Sequence, residues 1–227
     1  MSSEFDSYSA RYAELLKDPL RDGFASAAFF HARKWILIDE YWRRRGRALS
    51  AIDWLDIGCG QGDLLRLGAG QFRSAAGCDP SKEMLRPLAG AVLKHQESPA
   101  SLPFADGNFD FATAVCVYHH VDAGLQPQLT AEAARVLRPG GVLALIEHNP
   151  WNPLTRAIVR RSPVDVDAHL LTAGRCRELA RGAGLEAPAT EYFLYLPEFL
   201  FRHAGAVERA LRGFPLGGQY AVFARKP

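Results

Sequence analysis

Three glycines in alternating positions could bring the backbone close to a ligand. Gly58, Gly60 and Gly62 form a G-x-G-x-G pattern after the largely apolar run 51–57. Glycine permits the sharp turn and close backbone approach that a ligand-binding loop needs. A dinucleotide loop has the pattern G-x-G-x-x-G, and Asp63 stands where its third glycine would be. A carboxylate there would repel a pyrophosphate and would tolerate a cationic ligand, so the loop favours a cationic cofactor.

An acidic residue follows the next predicted strand. Asp79 comes directly after the run 74–78 and precedes Pro80. A carboxylate at this strand end can accept hydrogen bonds from both hydroxyls of a ribose. It can also cap a helix that begins at Pro80, because proline suits the first helical turn. The two roles can coexist, so Asp79 is a candidate for both.

Three histidines also follow predicted strands and could exchange protons. His119 and His120 follow the run 109–117, and His148 follows the run 142–146. Imidazole titrates close to neutral pH, so a histidine within reach of an acceptor can serve as its base. We expect one of the two adjacent histidines to pack structurally and the other to face the pocket. The residue types do not distinguish them.

The elements that position these residues follow from hydrophobic periodicity, since apolar runs of strand length alternate with segments of helical spacing. This alternation predicts a parallel sheet with right-handed crossovers and helices on both faces. A ligand would then lie beyond the carboxyl ends of the strands. Strands are predicted at 51–57, 74–78, 91–95, 109–117, 142–146, 191–196 and 220–225, and helices at 8–17, 24–45, 63–67, from Pro80 onward, 125–137, 172–183 and 197–211.

The composition is that of a globular protein without a strong charge bias. The chain has 227 residues, of which 48% are hydrophobic and 23% charged, enough for one domain with a buried core. Lys and Arg number 27 and Asp and Glu 25, which gives a net charge of +2. This balance indicates neither a nucleic-acid nor a membrane partner. The arginines within 43–47 are interpreted as a solvated helix end.

The cysteines and the N-terminus bear on the expected location. Cys59, Cys78, Cys116 and Cys176 are far apart and lack zinc-site spacing, so we expect free thiols in a reducing compartment and no bound metal. Residues 1–6 do not resemble the start of a signal peptide, and the apolar runs are too short to cross a membrane. The expected location is the cytoplasm.

Five motifs, in order along the chain, resemble those of class I S-adenosylmethionine-dependent methyltransferases, especially the small-molecule type. The segment 55–65 resembles motif I, and 77–81 resembles motif II. The stretch 101–110 is similar to the segment before strand four of that family, and 117–121 to the segment after it. The run 135–141 is similar to the lead into strand five. Each motif is modest alone, but their order makes the resemblance specific.

The resemblance implies roles for the matching residues in binding S-adenosylmethionine. The glycine loop would line its methionine part, and Asp56 would fix that loop and the amino group. Asp79 would hold the ribose, Met84 would cover the adenine, and the backbone near Cys116 and Val117 would border the reactive end. The cofactor-binding candidates are Asp56, Gly58, Cys59, Gly60, Asp79, Pro80, Met84, Ser98, Ala100, Ser101, Cys116 and Val117.

One departure from the family pattern concerns the adenine. Many relatives carry an acidic residue three or four positions before the Leu-Pro-Phe run, where this chain has Pro99 and Ser98. We expect Ser98, or the backbone near Ala100 and Ser101, to substitute for it.

Two further segments are candidates for covering the site. Tyr8 and Tyr12 lie on a predicted helix that in relatives often folds over the cofactor, where an aromatic face near a sulfonium is favourable. Simple core packing is an equally good interpretation of both tyrosines. The segment 149–171 holds two Asn-Pro pairs, which favour extended or turn geometry. It is interpreted as an irregular lid or acceptor-pocket wall, or as a loop that merely orders itself.

The expected fold is therefore an α/β, Rossmann-like, seven-stranded sheet with helices on both faces and an antiparallel last strand. A single domain would run over 1–227, with a helical cover at 1–48, a cofactor-binding half at 49–148 and an acceptor-side half with a lid at 149–227.

The expected function is methyl transfer to a small-molecule acceptor, at oxygen or nitrogen, with S-adenosyl-L-homocysteine as the product. The alternatives are an RNA or protein methyltransferase and a cofactor-binding protein without methylation activity. No nucleic-acid or membrane partner is expected, and the chain would act as a monomer or homodimer.

Overall fold

The computed structural model describes residues 4–227, whose strands form a seven-stranded mixed sheet. The strands are β1 (Asp53–Ile57), β2 (Ser74–Asp79), β3 (Val92–His95), β4 (Phe109–Val115), β5 (Leu137–His148), β6 (Glu186–Phe193) and β7 (Gln219–Arg225). They lie in the order β3-β2-β1-β4-β5-β7-β6. β7 runs antiparallel to both of its neighbours, and the other pairs are parallel. The predicted sheet and its antiparallel last strand are confirmed.

Helices cover both faces of the sheet because its central strands are apolar on both sides. In the core, β1 contributes Leu55 and Ile57 to the face under α6 (Gln126–Val136) and α8 (Ala173–Gly182), and Trp54 to the face under α4 (Ala27–Arg44) and α5 (Asp63–Gly68). No helix within residues 4–227 is long and apolar enough to cross a membrane. The helices are α1 (Glu4–Tyr8), α2 (Tyr12–Leu15), α3 (Pro19–Phe24), α4 (Ala27–Arg44), α5 (Asp63–Gly68), α6 (Gln126–Val136), α7 (Pro153–Arg161), α8 (Ala173–Gly182) and α9 (Glu198–Leu211).

Two predicted helices at the cofactor end are wrong. The segment after Asp79 forms a turn and not a helix, with a bond from Leu85 N–H to the Lys82 carbonyl (3.2 Å). Pro87 has no N–H and disfavours helical geometry at the residue before it, which accounts for the missing helix. The predicted helix 8–17 is divided, so that Tyr8 ends α1 and Tyr12 begins α2.

The expected irregular lid is also partly wrong, because its first half is α7. The Asn152 side chain accepts from Thr155 N–H (2.9 Å), and Pro153 occupies the first turn. The second Asn-Pro pair therefore begins a helix. Asn149 donates to the Gly217 carbonyl (2.8 Å), and the Thr155 hydroxyl donates to that of Gly218 (2.9 Å). These bonds tie the segment to the chain just before β7.

A network of ion pairs closes the amino end of the sheet. Arg138 Nη1 lies 2.8 Å from carboxylate oxygens of both Asp53 and Asp110. Arg73 pairs with the same two carboxylates, and Arg47 Nη2 lies 3.0 Å from Asp110. Hydrogen bonds from Arg73 are the main reason why the pKa of Asp53 lies well below its ordinary range. Charges from β1, β4 and β5, from the residue before β2 and from the segment after α4 therefore neutralise one another at this end.

Candidate active site

The loop between β1 and α5 depends on glycines in the left-handed backbone region. Gly58, Gly60 and Gly62 have φ values of 66°, 53° and 81°. A Cβ on Gly58 would lie 2.5 Å from Val117 Cγ2, whereas a Cβ on Gly60 would meet no described atom within 4 Å. The Cys59 N–H donates to the Cys78 carbonyl (3.0 Å), which joins the loop to the end of β2. The loop thus packs tightly at Gly58 and leaves open space at Gly60, into which a ligand can fit. We call this space, formed by the loop 58–62, the glycine cradle.

The Asp79 carboxylate holds this loop from the end of β2. It is 7% exposed and accepts from Gly60 N–H (2.9 Å) and Ser81 N–H (2.8 Å). Burial raises its pKa. An ionised carboxylate can accept about four hydrogen bonds, so two sites remain for a ligand's hydroxyls. Asp79 therefore fixes a turn instead of the predicted helix and keeps the capacity to bind a ribose.

Asp56 is a buried acid on β1 beneath the glycine loop. It is 3% exposed and accepts from the Thr113 hydroxyl (2.6 Å) on the neighbouring strand. Burial raises its pKa to about 7, and the Thr113 hydrogen bond and the Lys34 ammonium oppose this rise. Lys34, on α4, is 7% exposed and also lowers the pKa of Cys116. Lys34 therefore supplies a buried positive charge that acts on Asp56 in β1 and on Cys116 just after β4.

The raised pKa of Asp56 predicts a pH dependence of stability. Its folded pKa of about 7 exceeds its ordinary 3.8, so the folded protein holds this proton more tightly than the unfolded chain does. Stability from this group is present below about pH 4 and falls, by up to roughly 4 kcal/mol, as pH rises to about 7. Asp56→Asn should remove this fall, since its side-chain carbonyl can still accept from Thr113. Urea unfolding of both proteins at acidic and neutral pH measures the difference. An unchanged pH slope in the variant would contradict the assignment.

The residues expected near the adenine gather at the ends of β2 and β3. Met84 and Ala100 are each 2% exposed. His95 Nε2 lies 3.1 Å from the Pro80 carbonyl, which links the two strand ends. Ser98 and Ser101 form an isolated bridge, and the Ala100 N–H lies 3.4 Å from Ser98 Oγ. The sequence did not single out Gln96, which is buried here and donates to the Pro99 carbonyl (3.0 Å).

The loop after β4 is held by a carboxylate from β5. Glu147 is fully buried, and its Oε1 accepts from Val117 N–H (3.0 Å) and Tyr118 N–H (2.8 Å). Cys116 takes a left-handed φ of 56°, which is uncommon without glycine. Burial opposes its thiolate, but Lys34 and His148 together lower the pKa of Cys116 to about 7. Cys116 and Val117 therefore lie in a fixed, strained turn against the glycine loop.

The three candidate histidines lie close together at the carboxyl end of the sheet, each in a different environment. His119 is 2% exposed, and its Nδ1 lies 2.5 Å from Glu147 Oε2. Burial disfavours its charged form, but Glu147 and Asp165 outweigh burial and raise the pKa of His119 to about 10. His120 is partly exposed at its side chain (23%), and the His148 ring lies 5.2 Å from that of His119. His119 is thus the structurally packed member of the adjacent pair.

The N-terminal residues lie over the same edge. The Gln61 amide donates to the Ser9 carbonyl (2.8 Å), and the Ser81 hydroxyl donates to Asp6 (2.6 Å). Burial is the main reason why the pKa of Tyr12 lies far above its ordinary value, and the negative charges of Asp165 and other groups of the site raise it further. Tyr8 packs edge-on against Phe5, whose ring contacts His120 at 5.0 Å. Tyr12 thus borders the site directly, whereas Tyr8 contacts Phe5.

The fold is the Rossmann-like fold of class I methyltransferases. A family model described as a methyltransferase domain matches residues 55–145. The 2-phytyl-1,4-naphtoquinone methyltransferase of Synechocystis sp. is 36% identical over 116 residues, covering 44% of this chain and 47% of that protein. The trans-aconitate 2-methyltransferase of an Azoarcus species is 31% identical over 171 residues, covering 70% of this chain and 66% of that protein.

Solved structures agree with the fold. A SAM-dependent methyltransferase from Thermotoga maritima superposes with a TM-score of 0.70 at 20% identity, covering 98% of each chain. Residues 55–145 thus match a methyltransferase-domain family, and the chain as a whole has the fold of S-adenosylmethionine-dependent methyltransferases. It spans about half the length of the first curated relatives it matches.

Proposed function

We propose that the chain transfers the methyl group of S-adenosylmethionine to a small-molecule acceptor, at oxygen or nitrogen. The observation that carries this proposal is the pairing of an open glycine cradle at Gly60 with two buried carboxylates, Asp56 and Asp79. The sulfonium of the cofactor is itself the methyl donor, so the protein mainly has to hold and align the two reactants.

The chemistry of the edge supports a specific placement of the cofactor. Asp79 keeps two acceptor sites for the ribose hydroxyls. Asp56 near the end of β1, when ionised, and Lys34 in the middle of α4 bear opposite charges, and the Lys34 charge acts to lower the pKa of Asp56 and of Cys116. We assign Asp56 to the ammonium of the cofactor's methionine part and Lys34 to its carboxylate. Ser98, Ala100, Ser101 and Met84 then border the adenine.

Loss of Asp79 should weaken cofactor binding. Asp79→Ala is expected to weaken binding of S-adenosylhomocysteine by about 1–3 kcal/mol, the range for losing a hydrogen bond to a charged group. Asp122→Ala is the matched control, because Asp122 also caps a turn, accepting from Gly124 N–H (2.7 Å), and does so outside the site. Calorimetric titration with S-adenosylhomocysteine and with NAD measures both variants. Tight NAD binding without a response to S-adenosylhomocysteine would overturn the cofactor assignment.

The relatives and the charge balance support a small acceptor. The two curated relatives are named for methylating a naphthoquinone and trans-aconitate. A net charge of +2 supports neither an RNA nor another polyanionic partner.

Four free cysteines suit a reducing compartment such as the cytoplasm, and a monomer or homodimer would suffice. Incubation with methyl-labelled cofactor and cell extract tests the acceptor class. Label in the RNA or protein fraction, or in no fraction, would favour the alternatives.

His148 is proposed as the base where the acceptor must lose a proton. It is the last residue of β5, lies beside Cys116 and is half-buried, whereas His119 is enclosed by acidic partners. His148→Ala should lower turnover of the labelled acceptor by about 100-fold or more and leave cofactor affinity nearly unchanged. The exposed His203 on α9 provides the control variant His203→Ala. Full turnover in His148→Ala would mean that the acceptor arrives deprotonated or is activated by another group.

A further inference from the structure

Three side chains with metal-binding atoms converge beside the cofactor edge. His119 and His120 come from the turn after β4, and Asp165 comes from the short helical turn Pro163–Asp165 after α7. One nitrogen or oxygen atom of each lies within 4.8 Å of the others. The His169 N–H donates to the His119 carbonyl (2.9 Å) and holds the two segments together. A backbone hydrogen bond therefore helps to hold the three side chains close together.

The buried nitrogen of His119 faces this cluster without a hydrogen bond. His119 is 2% exposed, and among the described residues its Nε2 has no hydrogen-bond partner. Its other nitrogen, Nδ1, is bonded to Glu147, which is itself fixed by two backbone N–H groups. Metal-binding histidines almost always donate their second ring N–H to a carboxylate or carbonyl in this way. The bond to Glu147 thus directs Nε2 of His119 toward the cluster.

The distances suit a small divalent cation. Asp165 Oδ1 lies 3.4 Å from His119 Nε2 and 3.3 Å from His120 Nε2. Ligands held at about 2.1 Å by a tetrahedral zinc ion lie about 3.4 Å apart. Two imidazoles and one carboxylate are ligands that zinc and neighbouring transition metals accept, with one position left open.

We propose that His119, His120 and Asp165 form a binding site for one divalent transition-metal ion of the zinc type. Glu147 is its positioning residue, because it orients the His119 ring without reaching the ion. The absence of zinc spacing among the cysteines does not bear on this site, since its ligands are imidazole and carboxylate and come from distant parts of the chain.

The location of the metal site indicates which ligand would fill the open coordination position of the ion. The His119 ring lies 5.2 Å from that of His148, and Glu147 is bonded both to His119 and to Val117 N–H, so the cluster lies next to the proposed cofactor site. If the proposed methyl transfer is correct, the open position would take an oxygen of the acceptor. The metal site itself does not depend on that function.

Metal titration of the whole chain tests the site without any methyl acceptor. Tag-free, chelator-treated protein is titrated with Zn²⁺ by calorimetry, and bound zinc is counted by elemental analysis. We expect one ion per chain. His120→Ala and Asp165→Asn should each weaken binding by more than about 100-fold, since each loses a direct ligand when second-shell losses alone cost 10–100-fold. His203→Ala, which removes an exposed imidazole on α9, should bind as the parent does.

The competing arrangement is a protonated His119 held as an ion pair between Glu147 and Asp165. Nitrogen NMR of His119 separates the two, because a bound ion removes the proton from Nε2 and an ion pair keeps it. Retention of both ring protons at saturating Zn²⁺, or unchanged zinc affinity in both ligand variants, would overturn the proposal. Failure of methyl transfer alone would leave the zinc titration unaffected, so the two ideas fail separately.

Discussion

Replacing Glu147 with alanine should lower the free energy of unfolding by about 3–5 kcal/mol, the cost of stripping a buried charge of its partner. The carboxylate is fully buried and accepts from Val117 N–H, Tyr118 N–H and His119 Nδ1. Alanine would leave two amides and a buried imidazole without their acceptor. The turn after β4 would then lose its main attachment to β5.

Urea unfolding, followed by tryptophan fluorescence, measures this loss. Glu147→Gln keeps the volume and one acceptor oxygen, so its loss should be smaller than that of alanine. Glu186→Ala, at an exposed position on β6, should stay within about 0.5 kcal/mol of the parent. A loss below 1 kcal/mol in Glu147→Ala would show that water replaces the carboxylate and that the turn is not held by it.

Gly58→Ala should damage both the fold and cofactor binding. The new Cβ would lie 2.5 Å from Val117 Cγ2, on a residue whose φ is +66°. Left-handed strain and overpacking together should cost about 2–5 kcal/mol. The loop can relieve this contact only by moving into the glycine cradle. We therefore expect affinity for S-adenosylhomocysteine to fall by more than about 10-fold, which corresponds to a loss of roughly 1.4 kcal/mol of binding free energy.

Gly107→Ala separates backbone strain from the loss of the cradle. Gly107 has a φ of +58° and no described atom within 4 Å of the added Cβ, and it lies in the turn before β4, outside the site. It should lose about 1–2 kcal/mol of stability from strain alone and bind the cofactor product normally. Equal losses of affinity in the two variants would mean that Gly58 acts only through overall stability.

The strands and the glycine loop could be predicted because their signals are local. The apolar run of β4 and the alternating glycines after β1 each lie within a few consecutive residues, and the structure places them as expected. The helix predicted after Asp79 was wrong, because Met84, Leu85 and Leu88 have helical spacing but Pro87 interrupts the helical hydrogen bonds.

The cross-strand part of the site was missed because it depends on tertiary contacts. Lys34 reaches the edge from α4, and Asp165 meets His119 from 46 positions further along the chain. One signal was available in the sequence. Glu147 ends an otherwise apolar run, and an ionisable residue at the end of a buried strand needs a partner. His119 is that partner.

The ion-pair network at the amino end of the sheet has a consequence for behaviour on warming. The cost of removing charges from water falls as temperature rises, so such networks hold proportionally better in hot solution. Asp53, Asp110 and their three arginines join the starts of the central strands. The carboxyl end of the sheet depends instead on glycine turns and on hydrogen bonds from backbone N–H groups to the buried acids Asp79 and Glu147. Heating should therefore loosen the cofactor edge before it separates the strands, so binding would be lost at a lower temperature than the sheet.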